Sequence, residues 1–387
     1  MKKLLVLFVL LAIISSAVYA GDNQSAKFIR LLSRNAATDS IDSAYFNPAG
    51  TAFLQKGLHI QLNGQTVRLR YSHEKSPTTY TMSTWVPFIP AAYAGYSGGN
   101  WAIFAGYNIP RGGGTVKWDS AKFPANKEFT AFMDGGLEGS SSTHVLSVGG
   151  SYAFSPVFAV GARFDASFPE VKYEANFTIP PVGGVDVGGV AKLAKSGTGF
   201  GGALGVHLQP NEATSASLTI ESMQEIELKE KSSSGAPGTS EFLKDIVPGN
   251  ADSPWAIRLG FSYAFPFGLE IPVSLKYSFW KALDAENNRD EIMAAVGLRF
   301  WLSERFEISV GGSYANGNTP KDKLDRTFLD PELDNLTIGG GIGWEIFDNF
   351  NLDVGLLYPI YLQADGKVYK KLNKQVIDIG LGIGYVF

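Results

Sequence analysis

The sequence predicts an all-β fold: a closed, transmembrane antiparallel β-barrel of about fourteen strands behind a small, partly helical N-terminal segment. Three observations carry this. Apolar residues alternate with polar or small ones in segment after segment, the period-2 signature of strands with two unlike faces. The connections between these segments alternate between short and long. Beyond the N-terminus there is no run of 18 apolar residues, so no helix is built to cross a bilayer. Only helices and closed barrels satisfy every backbone group within lipid.

The elements follow in chain order. Lys2 and Lys3 precede the apolar run Leu4 to Ile14, and Val18-Tyr19-Ala20 fits a cleavage site before Gly21; residues 1–20 are expected to be a signal peptide. The remaining chain carries 31 basic against 37 acidic residues, which argues against nucleic acid as a partner. It has no cysteine, so an exported fold must be held by a large core or a closed hydrogen-bonded sheet. Glycine is abundant at 44 residues and charge is low at 18%, as suits strands with one small or polar face in a membrane.

Residues 57–387 are expected to form the barrel. The last strand is the clearest: Ile377, Ile379, Leu381, Ile383, Tyr385 and Phe387 share one face, opposite Asp378, Gly380, Gly382 and Gly384. Its terminal aromatics belong in an interfacial girdle. Similar alternation runs through Leu352–Ile360, Leu336–Ile346, Phe306–Tyr314, Ile292–Phe300, Ile271–Phe279 and Ile257–Tyr263. Upstream it continues through Leu218–Ile220, Phe200–Leu208, Phe158–Phe164, Leu146–Phe154, Trp101–Ile109, Phe88–Tyr96 and Leu58–Tyr71.

Short turns are expected at Ser97–Asn100, Ser155-Pro156, Pro210–Ala213, Pro266–Gly268, Ser303-Glu304 and Asp348-Asn349. Long outer loops are expected at Ser72–Pro87, Pro110–Ser142, Ile179–Ser196, Lys231–Pro254, Ala282–Asp290, Ala315–Asp334 and Gln363–Lys374. Short periplasmic turns and long outer loops are the asymmetry of outer-membrane barrels. Two strands change phase. In the first, apolar residues are even to Leu62 and odd from Val67, with Gly64 between; in the fifth, even to Phe168 and odd from Val171, with Pro169 between. Each slip is a candidate β-bulge that turns the strand over, or else the strand's end.

Residues 21–56 do not alternate. Ser25 to Arg34 fits a short helix and Asn47-Pro48-Ala49-Gly50 a turn. Such a segment is a periplasmic extension or a plug for a lumen that would otherwise be open.

Several features together resemble one family, the outer-membrane long-chain fatty-acid transport proteins and their aromatic-hydrocarbon relatives (the FadL/TodX type). Ala37–Gly50, with Asn47, Pro48 and Ala49, resembles the family's N-terminal hatch motif. Gly202–Ile226 resembles its middle hairpin, and Pro254-Trp255 with Lys276-Tyr277-Ser278-Phe279-Trp280 another of its pairs. The resemblance spans the mature chain. It implies passive uptake of fatty acids or similar hydrophobic compounds through a hatch-closed barrel, with sideways exit beside a kinked third strand. It also implies a bacterial outer-membrane protein that is not an enzyme and has no cofactor or metal. The implied partners are the hydrophobic ligand, outer-membrane lipid and, during insertion, the barrel-assembly machinery; the barrel is expected to be a monomer.

Candidate site residues follow. Arg163, Arg258, Lys276 and Arg299 fall on the inward face, the last three on successive strands, and are candidates for binding an anionic headgroup. The competing reading is that inward charges form salt-bridged layers filling the lumen. In the third strand, Gly106, Asn108 and Pro110 are candidates for the lateral opening, since Pro removes a ladder bond and Gly relaxes the backbone. The competing reading is a strand that ends there. Catalysis is not indicated: His144 and Ser147 point to opposite faces, and His207 has no neighbouring nucleophile. Asp322, Asp325, Asp330 and Asp334 are interleaved with Lys321, Lys323 and Arg326, as in a solvated loop. Two other classes share the barrel and the leader. A general diffusion porin would need a charged constriction, and residues 21–56 argue against it; a barrel adhesin would need no hatch.

Overall fold

The computed structural model describes residues 22–75, 78–118, 136–182, 185–235, 243–244, 247–326, 330, 332–367 and 370–387. The expected signal peptide lies outside them. The strands are β1 (Gly57–Lys75), β2 (Thr78–Ser97), β3 (Trp101–Trp118), β4 (Leu137–Ala153), β5 (Phe158–Val182), β6 (Val185–Ser196), β7 (Gly199–Asn211) and β8 (Thr214–Glu221). They continue with β9 (Lys229–Ser234), β10 (Ala256–Ala264), β11 (Leu269–Ser278), β12 (Glu291–Ser303), β13 (Phe306–Ala315), β14 (Asn335–Phe347), β15 (Phe350–Tyr361) and β16 (Lys370–Val386). Fourteen of them form one antiparallel ring, closed by the pairings β1–β16 and β4–β5. At the first seam Leu58 and Phe387 exchange backbone hydrogen bonds.

The remaining two strands stand outside the ring. β6 pairs with the outer part of β5, and β9 with β6. They occupy stretches expected as irregular loops, 179–196 and 231–254. Within Ser72–Pro87, also expected as a loop, the described residues continue β1 and β2, paired out to Lys75 and Thr78. The six turns expected to be short are two to four residues long.

The two phase changes do not turn the strands over. In β1 the odd residues His59, Gln61, Asn63, Gln65, Val67, Leu69, Tyr71 and His73 are buried without interruption. In β5 the odd residues are likewise inward from Ala159 through Val171, and its register with β4 is continuous past Pro169. The one register shift beside Gly64 places the extra residue on β2, between Val86 and Ile89. What changes is the chemistry of both faces. Below the transition Leu58 and Ile60 face outward and His59, Gln61, Asn63 and Gln65 inward; above it Arg68 and Arg70 face outward and Val67, Leu69 and Tyr71 inward. β5 repeats this, with Phe164 and Phe168 outside below, and Lys172 outside and Val171 inside above. Outward residues facing lipid are apolar, and those facing water are polar. Past the lipid the barrel wall obeys the rule for soluble barrels, with apolar residues inside. Bulge and inversion give the same letter pattern; burial separates them.

The outer surface of the membrane zone is apolar, and its short-turn rim carries chained aromatics. Tyr152 touches Phe154, Phe265 touches Phe267, Phe347 touches Phe350, and Tyr385 touches Phe387, with ring centroids 5.0, 5.3, 4.7 and 4.5 Å apart. This is the interfacial girdle of an outer-membrane barrel.

Residues 22–56 lie inside the ring as helix α1 (Ala26–Leu31), helix α2 (Ser43–Phe46) and a 3-10 turn at Pro48–Phe53. The Ser25 hydroxyl caps α1 by accepting from the Phe28 N–H. The inward glycines make room for this segment. A Cβ on Gly311 or Gly297 would meet the Leu31 carbonyl, one on Gly339 the Ile29 carbonyl, and one on Gly380 the Ile29 side chain.

Candidate functional site

The N-terminal segment is tied to the wall on several sides. Arg30, fully buried, reaches Glu307 of β13 and, at 2.9 Å, Asp353 of β15. Ser33 and Ser274 hydroxyls are 2.8 Å apart, the Asn35 amide donates to the Leu259 and Leu275 carbonyls, and the Ser217 hydroxyl donates to the Asn35 carbonyl. An internal cluster stiffens the segment: Arg34 binds Asp39 and Asp42, and Lys27 binds Asp39. Burial alone would raise the Asp39 carboxyl, but Arg34, Lys27 and Arg299 outweigh it and hold it well below the usual carboxylate range.

Asn47, Pro48 and Ala49 sit against the inner wall near the short-turn end. The Asn47 side chain accepts from the Ala49 N–H, capping the 3-10 turn, and its amide nitrogen lies 3.2 Å from His207 Nδ1. Gly161 and Gly205 form the seat: a Cβ on Gly161 would lie 2.5 Å from the Ala49 nitrogen, and one on Gly205 would meet Asn47. Thr51 adds a hydroxyl contact to Ser151 at 2.7 Å.

Above this segment lies a cavity of about 480 Å³, within the usual range for small-molecule pockets. Its floor is polar, with Asp22, Arg163, Arg258 and Lys276; its outer part is lined by Trp118, Leu137 and Tyr173, among others. The four predicted cations are thus not one group. Arg163, Arg258 and Lys276 border this cavity, whereas Arg299 borders a second, smaller space of about 180 Å³ with Glu307 and Asp353.

None of the four forms a free basic wall. Both terminal nitrogens of Arg258 donate to Asp22, at 2.9 and 2.8 Å, and its Nε donates to Glu221 at 3.0 Å. Lys276 also binds Asp22, at 3.2 Å. Arg163 binds Asp165 and the carbonyls of Ala44 and Tyr45, and Arg299 binds Asp39, Glu270 and Glu307. Asp22 is the hinge of the floor: burial would raise its carboxyl, but Arg258 and then Lys276 hold it well below the usual range.

The wall beside the cavity is interrupted. β2 pairs with β1 along its whole length, but with β3 only from Ser97↔Ala102 to Ala92↔Tyr107. Beyond that point Asn108 to Trp118 pair with β4 alone, and Thr78 to Ala91 with β1 alone. Gly106 is in the last paired stretch, Asn108 is the first unpaired residue on this side, and Pro110 falls where the β3–β4 register shifts, between Asn108 and Arg111. Gly112 and Gly113, at φ 68° and 123°, adopt backbone that favours glycine. The unpaired β3 edge is completed from inside: the Gln24 amide donates to the Ile109 carbonyl and accepts from the Ile109 N–H, both at 3.2 Å.

Asp22 and Gln24 had no motif to mark them. Lys374 could have been found by parity: Asp378 is inward, so Lys374 is too. It is buried, bonded to Asp330 at 2.6 Å, and lies over the rings of Tyr71 and Tyr361.

No protein-family model matches the chain, and no curated protein matches it in sequence. Solved structures do. The P. putida toluene transporter TodX superposes with a TM-score of 0.69 at 15% identity, covering 91% of this chain and 96% of that one. A Pseudomonas aeruginosa FadL homologue gives 0.69 at 12% identity, covering 97% and 100%. The Ralstonia pickettii toluene transporter TbuX gives 0.64 at 15%, covering 91% and 95%. The chain has the FadL/TodX-type barrel fold. At these identities the likeness is one of architecture.

Proposed function

We propose that this barrel takes up hydrophobic compounds across the outer membrane, catching them in the apolar outer lumen and releasing them sideways between β2 and β3. The observation that carries this reading is the interrupted β2–β3 ladder beside the cavity. A hydrophobic ligand gains nothing by continuing downward past ionic layers toward water, and gains its transfer free energy by leaving into lipid. Residues 21–56 act as the hatch, with Asn47, Pro48 and Ala49 as its dock and Gln24 as the contact that keeps the β3 edge closed. The structural neighbours named as toluene transporters and a FadL homologue support the reading. A general porin is disfavoured by the filled lumen, and an adhesin has no use for a break in the wall.

The test uses a chain that has no cysteine of its own. Pro90→Cys and Pro110→Cys place thiols at half-buried positions on the β2 and β3 segments that do not pair with each other. Bridging them with a short reversible thiol cross-linker should stop uptake of a fatty acid or toluene by cells, and reduction should restore it. Full uptake in the bridged state would refute sideways exit.

A further inference from the structure

One patch on the outside of the barrel carries charge with no protein partner. Arg68 and Arg70 share the outward face of β1 and, two residues apart, stand about 7 Å from each other. Both are exposed, and neither makes an ion pair among the described residues. By contrast, Lys172 is paired with Glu170 at 3.0 Å, Lys192 with Glu174 at 2.7 Å and Lys371 with Glu74 at 2.9 Å. The neighbours of the two arginines are neutral hydrogen-bonding groups and one aromatic ring. Arg70 lies opposite Ser83 of β2 and Gln375 of β16, and Ser72 opposite Thr81 and Asn373. Arg68 lies opposite Trp85, whose indole is 68% exposed and fixed to the wall by donating to the Thr66 hydroxyl at 2.7 Å. β2 contains no acidic residue. Immediately below, the surface turns apolar: Arg68 lies opposite Ile377 of β16, and Ile379, Leu381 and Ile383 continue down that strand, all exposed.

We infer that this patch docks a phosphorylated glycolipid of the outer leaflet, of the lipid A type. Its acyl chains run down Ile377 to Ile383, and its headgroup rests above the hydrocarbon, with phosphate on Arg68 and Arg70. The guanidinium fork matches phosphate oxygens bidentately, and two forks with no carboxylate to compete for them leave the patch complementary to an anionic headgroup. An exposed indole at the edge of the apolar band is an interfacial anchor. Its flat face, with the hydroxyl and amide groups of Ser83 and Gln375, suits sugar rings, which a glycerophospholipid does not offer. The patch lies on the β1–β2 ribbon, so a lipid held there braces the part of β2 that β3 leaves unpaired.

The experiment titrates the full barrel, folded in a neutral detergent, with diphosphoryl lipid A, its dephosphorylated form and phosphatidylglycerol. Native mass spectrometry reads the bound lipid, and heat-modifiable migration reports the folded barrel in each variant. Wild type should bind diphosphoryl lipid A roughly tenfold or more tightly than either other lipid, since only it offers phosphates and sugars together. Arg68→Gln with Arg70→Gln should weaken that binding roughly twentyfold to thirtyfold, about fivefold for each cation. Lys172→Gln with Lys192→Gln should change it less than about twofold, because those charges already have partners. Equal wild-type affinity for the dephosphorylated form, a comparison that needs no variant, would overturn the phosphate contact. Equal affinity for phosphatidylglycerol would overturn the choice of a glycolipid. Equal weakening in the two double variants, or none in the arginine pair, would overturn the site.

Discussion

The membrane zone and the outer zone of this barrel are built from the same strands by opposite rules. In the membrane zone β1 points Leu58 and Ile60 outward and Gln61 and Asn63 inward; a few residues on, it points Arg68 outward and Leu69 and Tyr71 inward. The wall of the first lumen is mostly polar, and residues 22–56 fill it through ion pairs, hydrogen bonds, glycine seats and one apolar cluster, Phe28, Ile29 and Leu32 with Tyr93, Phe104 and Leu357. The second is apolar, packed by Val67, Met82, Val171, Leu193 and their neighbours, and opens onto the cavity. The contrast teaches that the solvent outside a strand dictates its inner face as well as its outer one. A lipid-facing wall places most of its apolar residues outside, with Tyr93, Phe104 and Leu357 among the inward exceptions, while a water-facing wall must put them inside to have a core.

The largest expected effect comes from emptying the polar zone. Deleting residues 21–56 should leave a folded barrel whose conductance in planar bilayers is raised many-fold, and the apolar outer zone should remain assembled by heat-modifiability. Conductance equal to wild type would show that the segment does not fill the lumen. Next is Arg30→Met, which takes the cation from the buried Asp353 and leaves Glu307 with Arg299. Stranding buried charges costs about 3–5 kcal/mol, so this variant should show frequent channel openings. Gly161→Val should act in the same direction by pushing Ala49 off its seat.

These variants also mark what was readable from the sequence. The fourteen strands of the ring, the six short turns and the closing seam are legible because period-2 alternation and turn chemistry are local signals; β6 and β9, outside the ring, are not. The inversion in β1 and β5 shows in the sequence as a phase change that a bulge or a strand end would equally produce, since letters alone do not say which face keeps its direction. Glycines such as Gly161, Gly311 and Gly339 read only as the small face; that they seat the N-terminal segment depends on pairs hundreds of residues apart. The inward cations were found, but their partners were not: Asp22 meets Arg258 across 236 positions.

A smaller effect separates the zones in the opposite direction. Leu69→Ala, in the apolar zone, should cost about 2–5 kcal/mol of core packing and weaken ligand binding, with conductance unchanged. Gln61→Leu, in the polar zone, removes the acceptor of the Asp42 N–H at 3.2 Å and should raise channel noise by loosening the hatch, with ligand binding unchanged. Reversed outcomes would dissolve the distinction between the two lumens.

The smallest effect is that of pH. Asp22 and Asp39 have folded-state values depressed below the usual carboxylate range. Their contribution is therefore fully present above the ordinary value, 3.8 for aspartate, and is lost only as pH falls through the lower folded values. Hatch-dependent closure should be flat from pH 7 down to about 4.5 and fail only in stronger acid, as single-channel recordings would show. Opening between pH 6 and 5 would mean that these carboxylates are not held by their cations.

The polarity inversion itself is tested most directly by spin labels placed singly along the outward face of β1 and β5 in lipid bilayers, read by power saturation with oxygen and a water-soluble nickel chelate. Labels at Ile60 and Phe164 should be relaxed by oxygen, and labels at Arg68, Arg70 and Lys172 by nickel, with the crossover on β1 between residues 62 and 68. Oxygen-dominated relaxation continuing to Arg70 would place lipid against the charged segment and contradict the two-zone account.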